Sequence, residues 1–290
     1  MSTVPPVARS QVRPVTPGMR RVLRLATALV VLAGLPLFLA PGQTADWFSW
    51  TVSPPVTAVV LGAAYWASGA VEWTSARARA WANGRVAVPG VAVFTLATFV
   101  VTLVHLDRFH LAADLALHTR AITWAWIAIY GLVPLLLAVV WWRQQRVDGG
   151  DPARDRPLPP WLTTLCVALA ALLAGLGLTM LVAPSAVIPW WPWELTPLTA
   201  RALGAWVLGL GVSAAGVAAE RDAGRARPVA VGAVALPVLA AIGLARASGD
   251  VDWGSLGAAG VIVTLVVWAM LGVVLLRLAH RAPSAPEADR

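Results

Sequence analysis

Eight apolar runs, each about as long as a helix that crosses a lipid bilayer, follow one another along this chain. They are Val22–Ala40, Pro55–Thr74, Val88–Leu106, Ala121–Trp142, Trp161–Ala183, Leu198–Ala219, Val229–Ala245 and Ser255–Ala279. A bilayer core about 30 Å thick, divided by a rise of about 1.5 Å per residue, asks for about 20 apolar residues. The runs are continuous rather than alternating, so they predict helices and not barrel strands. Composition agrees: 59% of the chain is apolar and only 12% is charged. A soluble domain carries about 25% charged residues, so this chain cannot coat a water-facing surface. The expected class is an all-α integral membrane protein with eight transmembrane helices.

The first run has a basic flank and resembles a signal peptide in outline. It is too long for the apolar core of one, which runs about 7–15 residues, and it has an internal counterpart. It is read as a retained span.

The 22 cations are all arginine, and the isoelectric point is about 11.4. In a soluble protein that excess suggests nucleic acid. Here the arginines fall in the connections, where they fix orientation instead. Arg9, Arg13, Arg20, Arg21 and Arg24 precede the first run. Arg77, Arg79 and Arg85 follow the second. Arg143, Arg146, Arg154 and Arg156 follow the fourth. Arg221, Arg225 and Arg227 follow the sixth, and Arg277, Arg281 and Arg290 lie at or beyond the end of the last. The opposite side has only Arg108, Arg120 and Arg246, and Arg201 falls inside a run. This split predicts both termini in the cytoplasm and places the protein in the cell membrane. The expected partner is the lipid bilayer, with a membrane protein or a second copy beside it, and no nucleic acid. Cys166 is the single cysteine, so no intramolecular disulfide can form.

Residues 1–20 and 282–290 read as disordered tails. The glycines and prolines of residues 143–160 mark a flexible cytoplasmic linker. It separates a first four-helix unit, residues 21–142, from a second, residues 161–281.

The two units look duplicated. Pro55–Ala63 reads PVTAVVLGA, and Pro197–Ala205 reads PLTARALGA. Ala40-Pro41 answers Ala183-Pro184, and Trp47 and Trp50 answer Trp190 and Trp193. An even number of spans per unit keeps both in the same orientation, so the expected arrangement is two parallel four-helix repeats about an axis along the membrane normal.

Polar residues that invite a function are few. His110, Asp114 and His118 are four apart. On a helix they would share a face and could hold a divalent metal such as zinc. His105 lies deeper. Arg201 sits about one turn inside its run, with Glu194 just before it as a candidate partner. Arg201, Glu194 and His105 form the expected substrate-binding set, suited to an anion or a headgroup. Glu72 lies near the inner end of its run, within reach of Arg77 or Arg79. Most of the 16 tryptophans read as two interfacial belts. There is no phosphate-binding glycine loop with lysine, no HExxH, no GxSxG and no paired cysteine.

The duplicated opening, the His105-Leu106-Asp107-Arg108-Phe109 stretch and the arginine- and tryptophan-rich composition resemble uncharacterised multi-pass membrane proteins of actinobacteria, a resemblance that implies no activity. The four-plus-four arrangement is also similar to haem A synthase, which places histidine pairs in both halves. This chain has His105 in the first half and only His280 late in the second. The sequence therefore points to a non-catalytic scaffold or a carrier of small or lipophilic solutes. A metalloenzyme using the outer His/Asp cluster, or a subunit of a membrane complex, are the alternatives.

Overall fold

A computed structural model describes residues 11–281 of the chain. Among the described residues there are nine α-helices: α1 (Pro17–Leu39), α2 (Thr44–Trp47), α3 (Pro55–Arg77), α4 (Val88–Val104), α5 (Leu117–Gln145), α6 (Pro160–Val182), α7 (Pro197–Glu220), α8 (Ala223–Arg246) and α9 (Leu256–Ala279). Each expected run lies mainly within one of the eight long helices. Short 3₁₀ turns join them, and no strand longer than an isolated bridge occurs among the described residues.

The sequence marks the helix starts chemically. Thr16 accepts from the Met19 amide and Pro17 follows it. Thr196 and Thr199 form a reciprocal cap ahead of α7, with Pro197 between them. Asp222 and Ser255 cap α8 and α9. Such oxygens satisfy amides that the first turn leaves open, and proline there loses nothing because its position needs no donor.

Seven of the long helices are long and apolar enough to cross a membrane, as in a multi-pass all-α membrane protein. Their outward faces expose Leu132, Leu135, Leu172, Val263 and Met270, the pattern of a lipid-facing surface. The eighth, α3, is as long but less apolar. It carries Glu72 and Arg77, and it is packed against both α1 and α8. A helix enclosed by protein has little lipid to face, so Ala, Gly and Ser replace large apolar side chains.

The packing follows one pattern. α1 lies on α3 and α4 on α5; α6 lies on α7 and α8 on α9. Between the halves, α3 packs on α8 and α4 on α7. Small residues permit these approaches. A Cβ on Gly90 would strike Ser213, and one on Gly232 would strike Val71. Gly232 is 142 residues beyond Gly90, and Ser213 is 142 beyond Val71. Likewise a Cβ on Gly62 would meet Phe38 Cβ at 2.8 Å, and one on Gly204 would meet Met180 Cβ at 2.7 Å.

The inner face repeats this correspondence in its backbone. Val15 N donates to Arg79 O (3.2 Å) and Trp81 N to Arg13 O (2.8 Å). Leu158 N donates to Arg221 O (3.0 Å) and Ala223 N to Arg156 O (2.8 Å). Two expectations change here. Residues 11–20 are not a loose tail. Gln144, fully buried, accepts from the Thr16 amide at 2.8 Å and donates to Pro14 O at 2.9 Å, and α1 already begins at Pro17. The stretch 143–160 is not a free linker either, since Gly150, Pro152 and Arg156 are bonded to other segments. The glycines and prolines serve tight turns here, and the open backbone groups find partners across the inner face. Residues 1–10 and the expected tail 282–290 lie outside the described residues.

Candidate functional site

The outer face brings two of the expected residues together. Arg201 Nη1 donates to His105 Nε2 at 2.9 Å, and Arg201 Nε donates to the Leu181 carbonyl at 2.9 Å. Arginine is always a donor, so His105 accepts through Nε2 and carries its proton on Nδ1. The pair links the end of α4 to α7 and, through Leu181, to the end of α6. On the other side Arg246 Nη1 donates to the Phe38 carbonyl at 2.6 Å and stitches α8 to the end of α1. Glu194 is exposed and forms no ion pair with Arg201 among the described residues. The expected Arg201–Glu194 pairing is therefore corrected. A charge inside the apolar layer takes the nearest desolvated acceptors, and these come from α4 and α6.

The expected metal triad is not assembled. The segment after α4 turns through a 3₁₀ helix at Leu106–Arg108, extends at Phe109, and only becomes helical again at Leu117. His110, Asp114 and His118 thus share no helix face. His110 uses both ring nitrogens locally: Nδ1 donates to Phe48 O at 3.0 Å, and Nε2 accepts from Thr51 Oγ1 at 3.0 Å. His118 lies against the Trp47 ring, centroids 4.9 Å apart, and Asp114 is exposed. Among the described residues no three His, Cys, Asp or Glu side chains gather in a way that could hold a metal ion.

At the other end of the helices, where α3 and α7 finish, an ion network was not anticipated. Arg85 bonds Glu220 at 2.5 Å and Asp151 at 2.7 Å; Arg225, 4% exposed, bonds Glu220 at 2.8 Å and Pro152 O at 2.6 Å. Burial pushes the Asp151 carboxyl up, but the Arg85 hydrogen bond and the charges of Arg85 and Arg225 outweigh it and hold its pKa below the usual value. The network ties the start of α4, the connection after α5 and the α7–α8 turn into one piece.

The middle of the molecule is aromatic. Tyr65 and Tyr130 share a hydrogen bond of 2.6 Å, Phe94 stacks on Trp206 at 3.7 Å, and Trp126 packs on Trp50 and Tyr130. Trp50 and Trp193 are buried instead of lying in an interfacial belt, and Trp193 Nε1 donates to Thr57 Oγ1 at 2.9 Å. Their loops fold inward over the ends of the helices.

No family model matches the chain, and neither a curated protein nor a solved structure does. Its cavities therefore carry the functional reading. α1 packs on α5, but α6 and α9 make no comparable contact. Between α6 and α9 lies an apolar cleft of about 340 Å³. Leu172 and Leu176 form one wall, Val261 and Leu265 the other, Trp190 and Trp191 the outer rim, and Trp206 lines it toward the aromatic core. A second cleft of about 660 Å³ lies between α1 and α5, bordered by Leu32, Pro36, Trp47, Phe48, Trp126 and Ile129. Nothing in the sequence marks either cleft, because each is formed between helices that are far apart in sequence.

Proposed function

We propose that the protein binds or carries a small lipophilic solute in the membrane, as eight spans arranged in two parallel four-helix repeats with both termini cytoplasmic. The α6–α9 cleft carries this reading. Its lining is almost wholly apolar, it reaches from the lipid-facing side to Trp206, and its volume lies in the range of small-molecule sites, about 300–1,000 Å³. An ion or sugar would find no matching polar set there, whereas an apolar molecule would find walls of Leu, Val and Trp. The repeat is supported by the glycine approaches and the inner-face backbone bonds, each recurring 142 or 143 residues further on. The eighth span is supported by the length of α3 and its position between α1 and α8. The arginine distribution supports the orientation.

A lipid-soluble diazirine probe tests the reading. After photolysis in a bilayer, mass spectrometry should find adducts on Trp206 and on Leu176 or Val261, in addition to outward residues such as Leu132. Adducts confined to the outward residues would remove the cleft as a binding site.

A further inference from the structure

The cleft reading does not use Glu72, the one carboxylate in the interior of α3. It is 1% exposed. Ser68 Oγ donates to its Oε1 at 3.2 Å, and its Oε2 has no hydrogen-bond partner. Isolated buried carboxylates are costly when ionised, by several kcal/mol for each ion even after relaxation. A cation would offset that cost, and none is in place.

The charged groups on the surrounding elements are committed elsewhere. On α1 and its approach, Arg20 donates to the carbonyls of Val15, Ala76 and Ala78, while Arg21 and Arg24 are exposed. On α3 itself Arg77 lies over the Trp73 ring, 5.8 Å from its centroid. Before α4, Arg85 is bound to Glu220 and Asp151. α4 carries no titratable side chain. At the start of α8, Arg225 is held by Glu220 and Pro152, and Arg227 is exposed. Tyr65 and Tyr130 are the other titratable groups of this interior, and they bond each other. The expected pairing of Glu72 with Arg77 or Arg79 is absent among the described residues.

Next to Ser68 there is room for water. A cavity of about 60 Å³ lies between α3, α4, α7 and α8, and Ser68 and Ser213 are among its lining residues. A water needs about 10–15 Å³ of such space and polar partners, which the two serines offer. Ser68 therefore touches both the carboxyl and the cavity.

We propose that Glu72 is a proton-binding site: it holds a proton as the neutral acid in this conformation and exchanges it through Ser68 and the serine-lined cavity. The proposal needs α3 to be enclosed in the membrane bundle, but it does not depend on what fills the α6–α9 cleft.

A hydrophobic carbodiimide tests it on the wild-type protein in bilayers. The protonated acid gives its proton to a carbodiimide nitrogen, and its oxygen adds to the central carbon. The acyl group then shifts from oxygen to nitrogen, leaving a stable N-acylurea with no leaving group. Mass spectrometry should place the adduct on Glu72. Its yield should fall about tenfold between about pH 6 and about pH 10, the range that brackets the titration of buried carboxyls. Glu72→Gln should lose the adduct, and a water-soluble carbodiimide should modify exposed Glu194 but not Glu72. Absence of the adduct on wild-type Glu72 would overturn the proposal. So would a yield that does not change with pH, which would mean a sealed acid without exchange, or modification by the water-soluble reagent, which would mean an open aqueous site.

Discussion

The half of the chain that ends at Gln145 and the half that begins at Pro160 pack their helices in the same order, yet they place their polar groups differently. At the 142-residue offset, Val59 corresponds to Arg201, Glu72 to Ala214, and Asn83 to Arg225. The first half keeps a buried acid and a tyrosine pair. The second keeps a buried arginine on the inner face and a half-buried one on the outer. The first half lets α1 meet α5, while the second leaves α6 and α9 apart around an apolar cleft. Small residues at crossings and hydrogen bonds at helix ends make the shared scaffold. Individual chemistry sits where the halves depart from each other, and that is where function is to be sought.

The largest effect expected from this comparison is all-or-none. If the halves run parallel, reporter fusions after Arg281 and within the stretch 143–160 should both read cytoplasmic, and one at Ser185 should read external. A cytoplasmic signal at Ser185 would break the parallel arrangement.

Next comes the inner-face network. Replacing Arg225 by Met strips the buried cation from Glu220 and Asp151, and breaking a buried pair in this way should cost about 3 kcal/mol. The matching change in the first half, Asn83→Ala, should stay within about 0.5 kcal/mol. Thermal unfolding in one detergent compares them directly. Because Asp151 has a depressed pKa in the folded protein, its contribution is present above the unfolded carboxylate value of about 3.9 and is lost as pH falls through and below it. Equal losses for the two variants would mean that the network is not a distinguishing feature of the second half.

The crossings should behave alike. Gly90→Leu and Gly232→Leu each force a side chain into the neighbouring helix, a cost of about 1–3 kcal/mol for overpacking. A large loss from one and none from the other would sever the correspondence between the α4–α7 and α3–α8 contacts.

A smaller effect belongs to the outer stitch. His105→Phe removes one hydrogen bond from Arg201, worth about 1 kcal/mol. Only the neutral ring can accept from Arg201, so protonation of His105 breaks the bond. The wild type should therefore lose stability on acidification relative to His105→Phe. Parallel pH profiles would show that the Arg201–His105 bond is not held in solution.

How much of this was readable beforehand follows from which interactions are local. The eight apolar runs foretold the long helices, because period and length are local properties. The matching Pro55–Ala63 and Pro197–Ala205 openings contain Gly62 and Gly204, which meet Phe38 and Met180 at equivalent close approaches, whereas Gly90 and Gly232 lie outside them. Arg201 stood out as a charge in an apolar run and His105 was grouped with it, but their direct bond was not legible, because His105 is 96 residues away and reaches Arg201 only through α4–α7 packing. The spacing of His110, Asp114 and His118 misled because the chain turns through Leu106–Arg108 and is not helical at His110 and Asp114. Glu72 looked paired because arginines follow it in sequence. In the fold the Arg77 guanidinium lies over the Trp73 ring instead. The clefts left no sequence signal at all.

The central claim is that the α6–α9 cleft holds a lipophilic molecule, and native mass spectrometry of protein released from nanodiscs tests it most directly. Gly260 lines the cleft, and a Cβ placed there meets nothing within 4 Å, so Gly260→Phe adds a ring at the cleft with no clash at the Cβ. Gly175 is equally unobstructed but lies outside the cleft lining, and Gly175→Phe serves as its control. The wild type and Gly175→Phe should both carry a bound lipophilic adduct, and Gly260→Phe should lose it while unfolding at the same temperature. An adduct retained by Gly260→Phe at wild-type occupancy would contradict the account.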